Sequence, residues 1–162
     1  MTLQDWGSIG ELVGGVAIIV SLLYVGLQIR QGTKATQAAT NQAFSAQYSQ
    51  QILQITREDI RDIFRLGLGG LQNLNEGEQA AFMALMGSIT RMWETFFFER
   101  RDGRFDSNMY DAWMVQLIDL HGNTGVQEYW SIRKHQFTPE FVTYLDQALA
   151  AVAPKDMYPD QH

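Results

Sequence analysis

Apolar residues recur at helical spacing along most of the chain, and no segment keeps the two-residue alternation of a half-buried strand. The longest apolar stretch is residues 11–30, ELVGGVAIIVSLLYVGLQIR. Residues 12–29 hold 18 positions without a charge. At ~1.5 Å per residue that run spans about 27 Å of helix, close to a hydrocarbon core of roughly 30 Å. Trp6 stands where an interfacial aromatic belongs, and Glu11 sits at the edge of the run, where a carboxylate costs little.

Beyond Arg30 the composition turns to Gln, Ala, Thr and Ser, and one stripe remains: Phe44, Tyr48, Ile52 and Ile55. The Gln-rich face around it reads as solvated or partner-facing. Gly32 and Thr33 offer a point of interruption; the alternative is one helix continuing out of the membrane. Residues 57–68 form a short amphipathic helix closed by Gly67, Gly69 and Gly70. Residues 75–101 carry the strongest stripe outside the first run, from Phe82 through Trp93 to Phe97, with Asn75 and Glu78 as a capping box. Three shorter helices follow. One covers residues 107–120; one is opened by a Thr124–Gln127 capping box; one starts at Thr138-Pro139-Glu140 and carries Phe141, Leu145 and Leu149. The pattern therefore predicts an all-α chain. A transmembrane helix with a short flank occupies residues 1–30, a helical bundle of about five or six helices residues 31–153, and a mobile tail residues 154–162.

The flanks of the first run give it a direction. Asp5 and Glu11 precede it, which argues against a cleaved signal peptide. Arg30 and Lys34 follow it, and no acid appears until Glu58. The positive-inside rule then puts the N-terminus outside and the bundle in the cytoplasm. Arg30, Lys34 and Arg57, uninterrupted by acids, are the candidates for lipid headgroups. Gly10, Gly14, Ala17 and Ser21 fall on one narrow face, a candidate surface for a second helix in lipid.

Charge and chemistry narrow the function further. A net charge of −6 argues against a general nucleic-acid partner. The absence of cysteine excludes disulfides and thiolate chemistry. His121 and His135 lack the carboxylate three positions earlier that a di-iron bundle requires, and HExxH, GxSxG and phosphate-loop patterns are absent. Glu94, Glu99, His121 and Glu128 have no spacing that brings them together, and Arg133-Lys134-His135 reads first as a solvated helix end. No catalytic, cofactor or metal residue is assigned.

The segment Tyr24-Val-Gly-Leu-Gln28-Ile29-Arg30-Gln-Gly-Thr33 resembles the signature Tyr-x-x-x-Gln-Ile-Arg-x-x-Thr of a widespread, largely uncharacterised group of small bacterial proteins. Members carry an N-terminal hydrophobic helix followed by a helical domain. The segments Tyr129-Trp130-Ser-Ile-Arg133 and Phe137-Thr-Pro139-Glu140-Phe141 are similar to that group as well. The resemblance implies bacterial origin and a membrane anchor, with no activity or cofactor attached. The expectation is a non-enzymatic, single-pass inner-membrane protein. It would be an accessory subunit that meets membrane lipid and other membrane subunits, or a second copy of itself. The alternatives are a helical oligomer with the first helix buried between copies, and an enzyme with a pocket around Glu94, Glu99 and His121.

Overall fold

The computed structural model describes the backbone of residues 3–150 and the side-chain surroundings of residues 14–150. The side chains of Trp6, Gly10 and Glu11, and the tail 154–162, lie outside the described residues. Among the described residues six α-helices follow one another: α1 (Leu3–Thr56), α2 (Glu58–Leu68), α3 (Glu76–Arg101), α4 (Ser107–His121), α5 (Thr124–Arg133) and α6 (Pro139–Ala150). Short 3-10 turns fill Leu71–Asn73 and Lys134–Gln136. The chain is all-α, and among the described residues one helix is long and apolar enough to cross a membrane.

The first helix does not break at Gly32-Thr33. It runs 54 residues without interruption, a rod about 80 Å long. Five of its hydroxyl side chains, Ser21, Thr33, Thr36, Ser45 and Ser49, each donate to the carbonyl four residues earlier. The section from residue 14 to 36 stands clear of the bundle, and every residue in it is exposed.

The C-terminal part of α1 is a wall of the bundle. Phe44 is wholly buried and meets Phe96, Trp93, Trp113 and Phe105 edge-on, with ring centroids 4.7, 5.1, 5.1 and 5.5 Å away. Such T-shaped pairs align the positive ring edge with a negative face. Asn41 accepts from the Asp106 backbone N–H at 3.5 Å, and Gln37 donates to the Gly103 carbonyl at 3.0 Å. The Gln-rich face is thus partly an internal one. The stripe is also shifted from the one the apolar residues mark: Ile52 is 40% exposed, and Gln51 shares the inward face with Phe44, Tyr48 and Ile55.

Helix α3 is the centre of the core, burying Phe82, Leu85, Met86, Ile89, Trp93 and Phe96. Its start is the expected capping box: Asn75 Oδ1 accepts from the Glu78 N–H at 3.0 Å, and Glu78 accepts from the Asn75 N–H at 2.9 Å. Asp106 caps α4 through the Met109 N–H at 2.9 Å. The capping box expected at Thr124 and Gln127 does not form. Asn123 takes the N-cap position without a side-chain cap, and Gln127 donates to the Gly122 carbonyl. The reason is local: Asn123 turns its amide back onto the Leu120 carbonyl at 2.9 Å, so α5 begins one residue after it on backbone bonds alone. Helices α2 and α5 cross backbone to backbone, Gly125 against Gly67 and Gly70.

Candidate functional site

Two features invite a functional reading. The first is the bare rod of α1. Val16, Ile18, Ile19, Val20, Leu22 and Leu23 are all more than half exposed, at 54 to 66%. Polar interruptions are confined to small or self-satisfied groups, such as Ser21, whose hydroxyl donates to the Ala17 carbonyl at 2.8 Å, and Gln28, whose amide donates to the Tyr24 hydroxyl at 3.1 Å. Gly14, Ala17 and Ser21 of the small-residue face lie on this exposed rod, and a Cβ at Gly14 would meet nothing within 4 Å. The fourth member, Gly10, lies outside the described side chains.

The three basic candidates separate. Arg30 and Lys34 stand exposed one turn apart on the rod. Arg57 follows the last residue of α1, about 40 Å further along the axis from Arg30, and it pairs with Asp59 at 3.1 Å. A headgroup layer that meets the first two residues with the rod upright does not meet the third.

The second feature is a cavity of about 420 Å³ walled by α1, α2, α3 and α4. Its lining is mainly apolar, with Ile55 from α1, Phe64 from α2, Met92 and Trp93 from α3 and Leu120 from α4. Its polar members are few. The Tyr48 hydroxyl donates to Gln116 Oε1 at 2.5 Å. Gln51 Nε2 donates to Ser88 Oγ at 2.9 Å, which leaves Gln51 Oε1 buried without a partner. A buried amide oxygen without a donor costs free energy. Burial also pushes the Tyr48 phenol above its ordinary pKa. A second, more polar cleft of about 520 Å³ opens between α3 and α5 and is lined by Glu76, Gln79, Tyr129 and Arg133 among others.

The carboxylates and histidine of the enzyme alternative do not assemble. Buried Glu94 pairs with Arg91 and accepts from the Thr138 N–H at 2.7 Å, fastening the start of α6 to α3. Glu99 pairs with Arg104 at 2.6 Å. Glu128 accepts from the Leu71 N–H at 2.7 Å and holds the turn after α2. His121 is buried in the core with its edge toward Trp130. Its Nδ1 lies 2.9 Å from the Leu117 carbonyl, so the proton sits on Nδ1 and Nε2 is a bare, unpartnered acceptor. Burial pushes the His121 pKa down to about 4, against the opposing pull of the Leu117 carbonyl. Among the described residues no group of three His, Asp or Glu side chains is placed to hold a metal ion. In the basic triplet, Lys134 is engaged by Asp146 at 3.0 Å, and the same carboxylate accepts from Trp130 Nε1 at 2.7 Å.

Compared with known proteins, the chain matches no family model, no curated protein and no solved structure.

Proposed function

We propose that the chain is a non-enzymatic, single-pass membrane protein that serves as an accessory or interaction subunit of a larger membrane assembly. One observation carries the reading. A single uninterrupted helix has an apolar, fully exposed section from residue 14 to 29 and, beginning fifteen residues later at Phe44, a section that is part of an aromatic core. An apolar surface of that extent needs a cover, and hydrocarbon is the cover that its length and composition fit. Arg30 and Lys34 directly after the run support a bundle on the cytoplasmic side, with both cations at the level of anionic headgroups. The resemblance of the Tyr24–Thr33 segment to a bacterial group supports the bacterial inner membrane. Within the bilayer, Gly14, Ala17 and Ser21 supply a surface on which a partner helix, or a second copy, packs closely.

The test is fractionation of the expressed protein by carbonate and then detergent. Retention through carbonate with release by detergent is expected. Release by carbonate into particles containing several copies would replace this reading with the helical oligomer, in which copies cover one another's exposed rods.

A further inference from the structure

We infer that the chain pairs with a second copy of itself along the outer face of α1, with the two rods parallel and in register. The ground for this is where α1 keeps its charge. Between Gly14 and Thr56 the charged side chains are Arg30 and Lys34 alone. Both fall on the side of the helix that the bundle occupies. Arg30 stands seven residues before Gln37 and fourteen before Phe44; Lys34 stands seven before Asn41 and fourteen before Tyr48, and seven residues are close to two whole turns. Those four residues all engage the bundle, at the Gly103 carbonyl, the Phe96 ring, the Asp106 N–H and Gln116 respectively.

The opposite side of α1 is a different surface. Alternating steps of four and three residues lead from Gly14 to Leu53 along one seam. No charged residue lies on that seam or at the positions flanking it, and every residue on it is exposed. A helix side that faces water ordinarily carries charge. The outward side of residues 35–53 carries none, while Leu53 on the seam and Ile52 beside it are 66% and 40% exposed.

Self-complementarity and area identify what covers it. The seven-residue repeat, kept for nearly six repeats, is the spacing that holds two supercoiled helices in contact. Gln28 and Gln42 stand on the seam two repeats apart. In a parallel, in-register pair each meets its own counterpart, and an amide carries both the donor and the acceptor that such a pairing needs. Arg30 and Lys34 stay on the far side, so like charges do not face one another. A shared strip ~60 Å long and ~10 Å wide buries roughly 1,200 Å² over both copies, the lower bound of a specific interface. Residues 35–53 supply less than half of that length, so the seam within the bilayer is needed too. The inference therefore rests on the membrane reading, which also sets the parallel sense, because copies inserted in one direction run side by side.

The chain has no cysteine, so one introduced thiol reports one position. Ala39→Cys, Ala46→Cys and Gln47→Cys, all at exposed positions, are made singly in the full-length chain and oxidised in native membranes. Ala39 and Ala46 lie on the seam and should each close a disulfide between copies, which requires Cα atoms within about 7 Å. Gln47, turned about 100° from Ala46, should not. The detergent-solubilised chain should have the mass of two copies. Ala39→Lys combined with Ala46→Lys sets like charges against each other and should reduce it to one, with near-UV circular dichroism unchanged, while Gln47→Lys keeps two. Absence of cross-linking at Ala39 and Ala46, or equal cross-linking at all three positions, overturns the pair. A solubilised mass of one copy plus a different chain overturns it as well. Carbonate extraction separates the two readings. A chain retained in the membrane without the Ala39 and Ala46 cross-links loses the pair and keeps the span. A chain released by carbonate that still forms both cross-links keeps the pair and loses the span.

Discussion

Gly125 at the start of α5 sits directly on the Gly67 carbonyl of α2. A Cβ built on Gly125 would overlap that oxygen and lie 3.3 Å from the Gly70 Cα. Both atoms in the way are backbone, so no side chain can rotate to make room. Gly125→Ala should therefore force the two helices apart and destabilise the bundle by about 2–3 kcal/mol. Gly87→Ala is the control. Its Cβ would meet only the Tyr129 hydroxyl at 3.8 Å, ordinary contact, and alanine's better helix propensity should make it neutral or slightly stabilising. Chemical unfolding followed by tryptophan fluorescence compares the two.

Phe44 is the bolt between the rod and the bundle. Phe44→Ala should cost about 3–5 kcal/mol, because it removes four edge-on aromatic contacts at once. The local signature is as informative as the total. Hydrogen exchange of residues 40–56 should accelerate toward that of residues 30–36, since the freed end of α1 loses its tertiary support.

His121 should make the fold acid-sensitive above the carboxylate range. Its pKa in the folded chain is about 4, below the ordinary 6.5 of an unfolded chain, so between these values the unfolded state binds the extra proton. Stability is then full above about pH 6.5 and falls as the pH drops toward 4, by about 3 kcal/mol in all. Asp146, which burial pulls upward but the combined bonds from Trp130 and Lys134 hold below its usual range, loses its contribution at lower pH still. A His121→Leu chain should show a flat stability profile between pH 6.5 and 5. An unchanged slope in that window would assign the acid sensitivity elsewhere.

Glu94 should matter as a fastener rather than as a reactive acid. Glu94→Ala strands the Thr138 N–H and removes one partner of the Arg91 guanidinium, which keeps its bond to the Gln136 carbonyl, and should cost about 2 kcal/mol. Glu94→Gln keeps an acceptor for Thr138 and should recover roughly half of that loss. Thermal unfolding of the two variants separates the hydrogen bond from the charge.

A carboxylate in the middle of the rod should change where the protein is found. Ile19→Asp places an acid at the centre of the apolar run, an insertion penalty of about 3 kcal/mol. The variant should shift from the carbonate-resistant pellet toward the supernatant, while Gln47→Asp on the bundle's exposed surface should leave partitioning unchanged.

The helices themselves were legible because each carries its own stripe and its own end signals. Asn75 with Glu78, and Thr138-Pro139 at the start of α6, mark boundaries that the structure places within a residue. Thr124 misled because its spacing to Gln127 satisfies the capping rule, while the preceding Asn123 had already closed the end of α4 and fixed the start of α5. The Gln-rich face was legible only in part. Gln51 lies three residues after Tyr48 and four before Ile55, at core spacing, but an amide does not read as core, whereas Ile52 beside it does. The cavity was not legible at all. It depends on how four helices meet, and no local pattern records the volume they leave between them. Glu94 likewise gives no hint of its partner, 44 positions away at Thr138.

An unbroken α1 also ties orientation to length. Each residue of an α-helix turns the chain by about 100° and lifts it about 1.5 Å. One residue inserted among positions 31–36 would swing the whole bundle about a quarter turn around the rod, pointing a different face at whatever lies beside the exposed section of α1. Seven inserted residues would restore the heading to within about 20° and raise the bundle by about 10 Å. The polar middle of this helix thus acts as a vernier, setting both the compass bearing and the height of everything that follows it.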